Sequence, residues 1–262
     1  MSDNEIIEYK GYGIEIVHDD TELNPREDFD PLGTMICFHR RYNLGDKHNW
    51  KTPDEAMRGL AIAADETVQD RIEFWEDGKR WRKLANLENK QKFELGKKVF
   101  TAPDAANEKI KELIQSTLKK HYVILPLYLY DHSGITISTG PFSCPWDSGQ
   151  VGFIYITKKK ACQEYGRKRL GRANRKKLIS YLKQEVETYD QFLTGDVHGY
   201  HVHRLNSEGE IEDDDDILDS CYGYFGSNWE DNGLFESAKG AIDYEIRKEQ
   251  EMEDFYRNSF AL

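Results

Sequence analysis

The sequence predicts an α+β protein: a mainly antiparallel sheet packed with several helices. Three observations predict it. Short apolar or alternating runs are joined by tight turns, as at Asp131-His132-Ser133-Gly134, and strands joined so closely run antiparallel. Capped helical stretches with one apolar stripe stand between groups of strands. The order reads strands, helix, helix, three strands, helix, two strands, helix. The chain of 262 residues reads as one α+β domain over 1–262, with a charged helical insertion around 79–100.

Ile6 to Val17 reads as a strand pair or bent strand broken by Gly11-Tyr12-Gly13, with Ile14 and Ile16 alternating around Glu15. A strand follows at Thr34–His39. Thr52-Pro53-Asp54-Glu55 starts a helix: Thr52 caps, Pro53 needs no N–H partner, and Glu55 completes a capping box. This helix is expected to run to about Trp75, with Gly78 beyond its end. Thr101-Ala102-Pro103-Asp104 starts another, whose stripe is Ile110, Leu113, Ile114 and Leu118.

The run from Val123 to Tyr130 is nearly all apolar and is expected to lie centrally in the sheet. Ile135–Ser138 returns antiparallel, and Gln150–Ile156 is the next buried strand. A long helix carries Leu178, Leu182, Val186 and Tyr189, and Gly195 closes it. Val197–Leu205 and Ile217–Phe225 read as two strands around an acidic loop. Ser227–Glu230 is a second capping box. The last helix, from about Asn232, places Leu234, Ala238, Ile242 and Ile246 on one face.

Composition narrows the classes. Charged residues make up 32% and aromatic residues 12%, which fits a folded protein with a charged surface rather than a disordered chain. No apolar run approaches the roughly 18–20 residues that span a bilayer, and Met1–Glu5 is acidic, without a signal-peptide core. The expected location is therefore the cytoplasm, with no membrane partner. The four cysteines form no C-x-x-C pair, which indicates neither zinc ribbon nor redox motif. The net charge of −12 disfavours indiscriminate nucleic-acid binding. Its distribution is uneven. Lys158–Lys177 holds ten basic residues and one acid, whereas Glu208–Asp219 holds eight acids and no base.

Four constellations bear on chemistry. Asp131, His132 and Ser133, with Cys144 and Asp147, hold the residue types of an activated thiolate. However, the four residues of Ile135–Ser138 separate the turn from the Cys144 loop by roughly 13 Å. His201 and His203 share one face of a strand, as a metal pair would, while His198 faces the other way. Their third ligand would have to come from a distant segment, such as Asp219 or Glu208. His39, Arg40 and Arg41, with His48 and Asp46, suit carboxylate or phosphate contacts, or salt bridges to the nearby acids. The basic stretch 158–177 could track a phosphate backbone. No P-loop, dinucleotide fingerprint or nucleophile elbow is present. The sequence alone thus assigns no metal site, no cofactor and no complete catalytic set.

Several stretches are similar to an uncharacterised family encoded by tailed phages, prophages and other mobile elements. They are Asn24–Glu27 with Leu32–Asp46, Leu127–Gly134, Phe142–Tyr155, Leu193–Val197 and Asp219–Gly226. Tyr222 stands where that family leads one to expect Trp. The resemblance implies a protein that engages a host or competitor system but supplies no activity or site residue. The leading expectation is a non-enzymatic accessory protein in the host cytoplasm. It would bind a host protein and counteract a defence system through Glu212, Asp213, Asp214, Asp215 and Asp216, with Trp146, Arg40 and Arg41 as further contacts. The alternatives are a metal- or Cys/His-dependent hydrolase using His132, Cys144 and Asp147, and a nucleic-acid-binding module using 158–177.

Overall fold

The computed structural model describes residues 6–21, 23–84, 103–213 and 216–259. Its strands are β1 (Ile6–Tyr9), β2 (Tyr12–His18), β3 (Thr34–Cys37), β4 (Tyr122–Asp131), β5 (Ile135–Ser138), β6 (Ser148–Thr157), β7 (Val197–Arg204) and β8 (Asp219–Phe225). Its helices are α1 (Pro53–Ala64), α2 (Thr67–Leu84), α3 (Pro103–His121), α4 (Lys158–Glu164), α5 (Arg172–Thr194) and α6 (Leu234–Ser259). The class is α+β. Two antiparallel sheets have the orders β1-β2-β7-β8 and β3-β6-β4-β5. Contacts divide the chain into two compact units. One is Met1–Asp30, Tyr130–Ile137 and Val186–Leu262; the other is Pro31–Leu129 and Ser138–Glu185. No helix among the described residues is long and apolar enough to cross a membrane.

In the second unit, β3 and β6 pair with Ile36 opposite Phe153. Those two side chains join Leu60, Val68, Ile72 and Leu113 from α1, α2 and α3 in one core. Tyr122 donates from its buried hydroxyl to the Leu60 carbonyl at 2.9 Å, so this core leaves that polar group paired. Thr52 caps α1 as expected, accepting from the Glu55 N–H, with Pro53 in the first turn. The Glu55 carboxylate reaches back one residue further than a capping box requires, to the Lys51 N–H. The expected single helix to Trp75 is two helices. Asp65 adopts extended backbone angles and its carboxylate accepts from both the N–H and the hydroxyl of Thr67. It thereby ends α1 and caps α2, a local competition that Asp wins outside helix interiors. α2 then runs through Gly78 to Leu84. Most of the expected charged insertion, beyond residue 84, and the Thr101 cap lie outside the described residues.

The first unit holds the sheet β1-β2-β7-β8 and α6, with the end of α5 and parts of β4 and β5. Lys10 and Gly11 both have positive φ, 54° and 82°, and form the two-residue turn between β1 and β2. Pairing then follows β2 with β7 and β7 with β8. Because side chains alternate, Ile14, Ile16, Tyr200 and Val202 fall on one face. There they pack against Leu234, Ala238 and Ile242 of α6, the stripe expected from the sequence. Asn232, rather than Ser227, accepts from the Leu234 N–H at the start of α6. The edge of this layer is tied by Arg204 to Glu249 at 2.6 Å and by the Tyr12 hydroxyl to Glu249 at 3.0 Å.

Candidate metal centre

The opposite face of the same strand pair is polar. Glu15 of β2 lies directly across from His201 of β7, and His203 lies across from Gly13. Cross-strand neighbours stand about 4.5–5.5 Å apart at Cβ, so one carboxylate reaches both imidazoles. Glu15 Oε2 is 3.3 Å from His201 Nδ1 and 3.2 Å from His203 Nε2. One potential ligand atom from each of the three residues lies within 4.8 Å of the other two.

The cluster is sheltered but not sealed. The side chains of Glu15 and His201 are 19% and 18% exposed, and that of His203 is 2% exposed. Gly13, opposite His203 on the neighbouring strand, has no room for a side chain. A Cβ at Gly13 would come 2.8 Å from Leu205 and 3.2 Å from Ile6, so the missing side chain lets these two close over the strand pair. His203 Nδ1 is buried without a hydrogen-bond partner.

Tyr222 of β8 completes the group. Its hydroxyl is 2.6 Å from His201 Nε2. The ring lies over Gly199, where a Cβ would meet Tyr222 Cδ1 at 2.4 Å and the Cys221 carbonyl at 2.8 Å. Only glycine admits the ring there. With both histidines neutral, one proton arrangement satisfies every contact. Tyr222 O–H donates to His201 Nε2, and His201 Nδ1–H and His203 Nε2–H both donate to Glu15.

Two nitrogens and one carboxylate oxygen are a donor set that suits zinc and its neighbours. In a tetrahedral site with bonds of about 2.0–2.1 Å, ligand atoms stand about 3.3–3.4 Å apart. The two Glu15 contacts are already near that separation. With Nδ1 of His201 as a ligand, its Nε2–H would donate to Tyr222, which holds the ring as a metal-bound imidazole is usually held. The three residues would hold such an ion from one side, and the partial exposure of Glu15 and His201 would give water or substrate access to it.

The sequence finds the two histidines but not their partner. Asp219 accepts instead from the Tyr200 hydroxyl at 2.9 Å, and Glu208 sits in a turn organised by Asn206. His198 is directed to the other face, edge-on to Trp229. The remaining sequence candidates are placed as follows. Cys144 donates to Asp147 Oδ2 at 3.8 Å within their own loop, and His132, stacked on Tyr130, belongs to the other compact unit. Trp146 is 92% exposed. Arg40 and Arg41 are exposed, with the Arg41 guanidinium over the Tyr42 ring, and His39 stacks on that same tyrosine. His48 Nε2 contacts the Cys37 carbonyl, and Asp46 accepts from the Met35 N–H, so both brace β3. Glu212, Asp213 and Asp216 are exposed, and Asp216 pairs with Arg204 at 3.5 Å. Asp214 and Asp215 lie outside the described residues.

The chain matches no family model, no curated protein and no solved structure. Fold and site therefore define it only as an α+β protein with a two-histidine, one-carboxylate cluster on an open sheet face.

Proposed function

We propose that this chain is a divalent-metal protein of the hydrolase class, with Glu15, His201 and His203 as the ligands. The convergence of these three side chains from two strands, with ligand atoms within 4.8 Å of one another and both Glu15–imidazole separations near the tetrahedral value, carries the reading. A bound zinc-type ion lowers the pKa of its water and polarises a carbonyl or phosphoryl oxygen. The protein's own part is to hold the two imidazoles, with Tyr222 fixing that of His201, and to keep one side open. Calorimetric titration with zinc tests this. One ion per chain is expected, with binding lost in Glu15→Gln and His203→Ala. A wild-type chain that takes up no zinc refutes it.

A second reading draws on the resemblance to the mobile-element family. In it, the chain is an accessory protein that binds a host protein and counteracts a defence system. Glu208, Glu210 and Glu212 favour it: they are exposed, and none forms an ion pair among the described residues. Reversing these three charges should abolish partner capture, and unchanged capture rules this mechanism out.

A further inference from the structure

The second compact unit carries a basic concavity of about 720 Å³. Lys158, Lys159, Arg167, Lys168, Arg169 and Arg175 line it, and no Asp or Glu does. All six come from α4, the turn after it and the first residues of α5. The turn is closed by Gly166, whose φ of 57° suits a helix C-cap, and by the Arg167 N–H donating to the Cys162 carbonyl. These bonds hold Arg167, Lys168 and Arg169 on one short exposed loop facing the two helices.

Among the described residues these charges have no acidic partner: none of the six forms an ion pair, and Lys158 alone has a side-chain hydrogen bond, to the Lys119 carbonyl. The first turn of α5 contains no acidic residue, although carboxylates are favoured and cations disfavoured at that end of a helix. Clustered cations that contradict local electrostatics without an internal partner mark a surface built for an external anion.

The chemistry of the lining selects among anions. Leu170 and Cys162 are its least polar members, and no aromatic ring lines it. A nucleobase would find no stacking platform, and a lipid surface would find no exposed apolar wedge. Arg and Lys suit phosphate oxygens, which repeat along a nucleic-acid chain. We infer that this concavity binds the phosphodiester backbone of nucleic acid without reading its sequence. The net charge of −12 opposes approach at long range, but that field is screened within about 8 Å at physiological salt.

The test is fluorescence anisotropy with a labelled 20-nucleotide oligothymidine and a mixed-sequence strand of equal length. Both should bind at 50 mM salt with equal affinity. Affinity should fall about a hundredfold by 200 mM salt, as expected when roughly four to five phosphates of a single strand are neutralised. The triple variant Arg167→Glu, Lys168→Glu, Arg169→Glu changes only exposed loop residues, and circular dichroism confirms its fold. It should weaken binding at least tenfold. Three outcomes overturn the inference: no binding at 50 mM salt, binding unchanged in the folded triple variant, or competition by ADP or inorganic phosphate as effective as that by the oligonucleotide. Binding to phosphatidylserine vesicles without oligonucleotide binding would assign the surface to membranes instead.

Discussion

The two faces of the β2–β7 strand pair differ in what their alternating residues do. One face sets Ile14, Ile16, Tyr200 and Val202 against α6 and excludes water. The other sets Glu15, His201 and His203 one residue out of phase, with polar atoms converging and one side open. Strand geometry alone separates the roles, because successive side chains point to opposite faces. Stability should therefore reside on the first face and ligand chemistry on the second.

The largest effect expected from breaking this comparison is at Ile14. Ile14→Ala should lower unfolding free energy by about 2–4 kcal/mol in urea denaturation, because the side chain is fully buried. Its neighbour Glu15→Gln should cost less than about 1.5 kcal/mol, since an amide oxygen still accepts from one histidine. Equal losses at the two positions would erase the distinction between the faces. Gly199→Ala comes next. The added Cβ must push Tyr222 off its seat and should cost about 1–3 kcal/mol, while detaching the hydroxyl from His201. A stability within 0.5 kcal/mol of wild type, about the scatter of surface substitutions, would show that the ring does not need this seat.

Tyr222→Phe sharpens the comparison without touching packing. Tyr222 is 42% exposed, so stability should hold, while metal affinity should fall about tenfold through loss of the hydroxyl that holds His201. Unchanged affinity would remove Tyr222 from the site. The smallest effect is at His18, at the end of β2. The Gly195 carbonyl at 2.7 Å, and then Asp20, raise its pKa above 6.5, because both contacts favour the doubly protonated ring. The group stabilises the fold below its unfolded pKa, and this contribution is lost as pH rises through the raised folded value. Exposure limits it to a few tenths of a kcal/mol. His18→Asn should flatten the stability difference between mildly acidic and mildly alkaline buffer, and an unaltered difference would count against the contact.

The architecture was legible where local rules decide it. The β1–β2 turn, the Thr52 cap and the Leu234–Ile242 stripe follow from glycine conformation, capping chemistry and helical period. The break at Asp65 is not legible in the sequence, because the apolar stripe continues through it from Leu60 to Ile72, while the Asp65–Thr67 pairing that interrupts the helix is a polar detail. For the site, period two was enough to put His201 and His203 on one face. Glu15 was not legible as their partner. It sits 186 residues from His201, and no local pattern states that β2 pairs with β7 in this register. The only sequence trace is a carboxylate between two buried isoleucines, which alternation explains equally well. Tyr222 is recoverable only through Gly199, whose reason for being glycine appears once β8 is laid beside it.

The most direct measurement of the central claim is cobalt substitution followed by visible absorption. A Co²⁺ ion held by Glu15, His201 and His203 in near-tetrahedral geometry should give intense bands at one ion per chain. His203→Ala should lose them, and Tyr222→Phe should keep them at weakened affinity. A titration in which the wild-type chain shows no such bands, or in which His203→Ala shows the same bands as wild type, would contradict the assignment of this face as a metal centre.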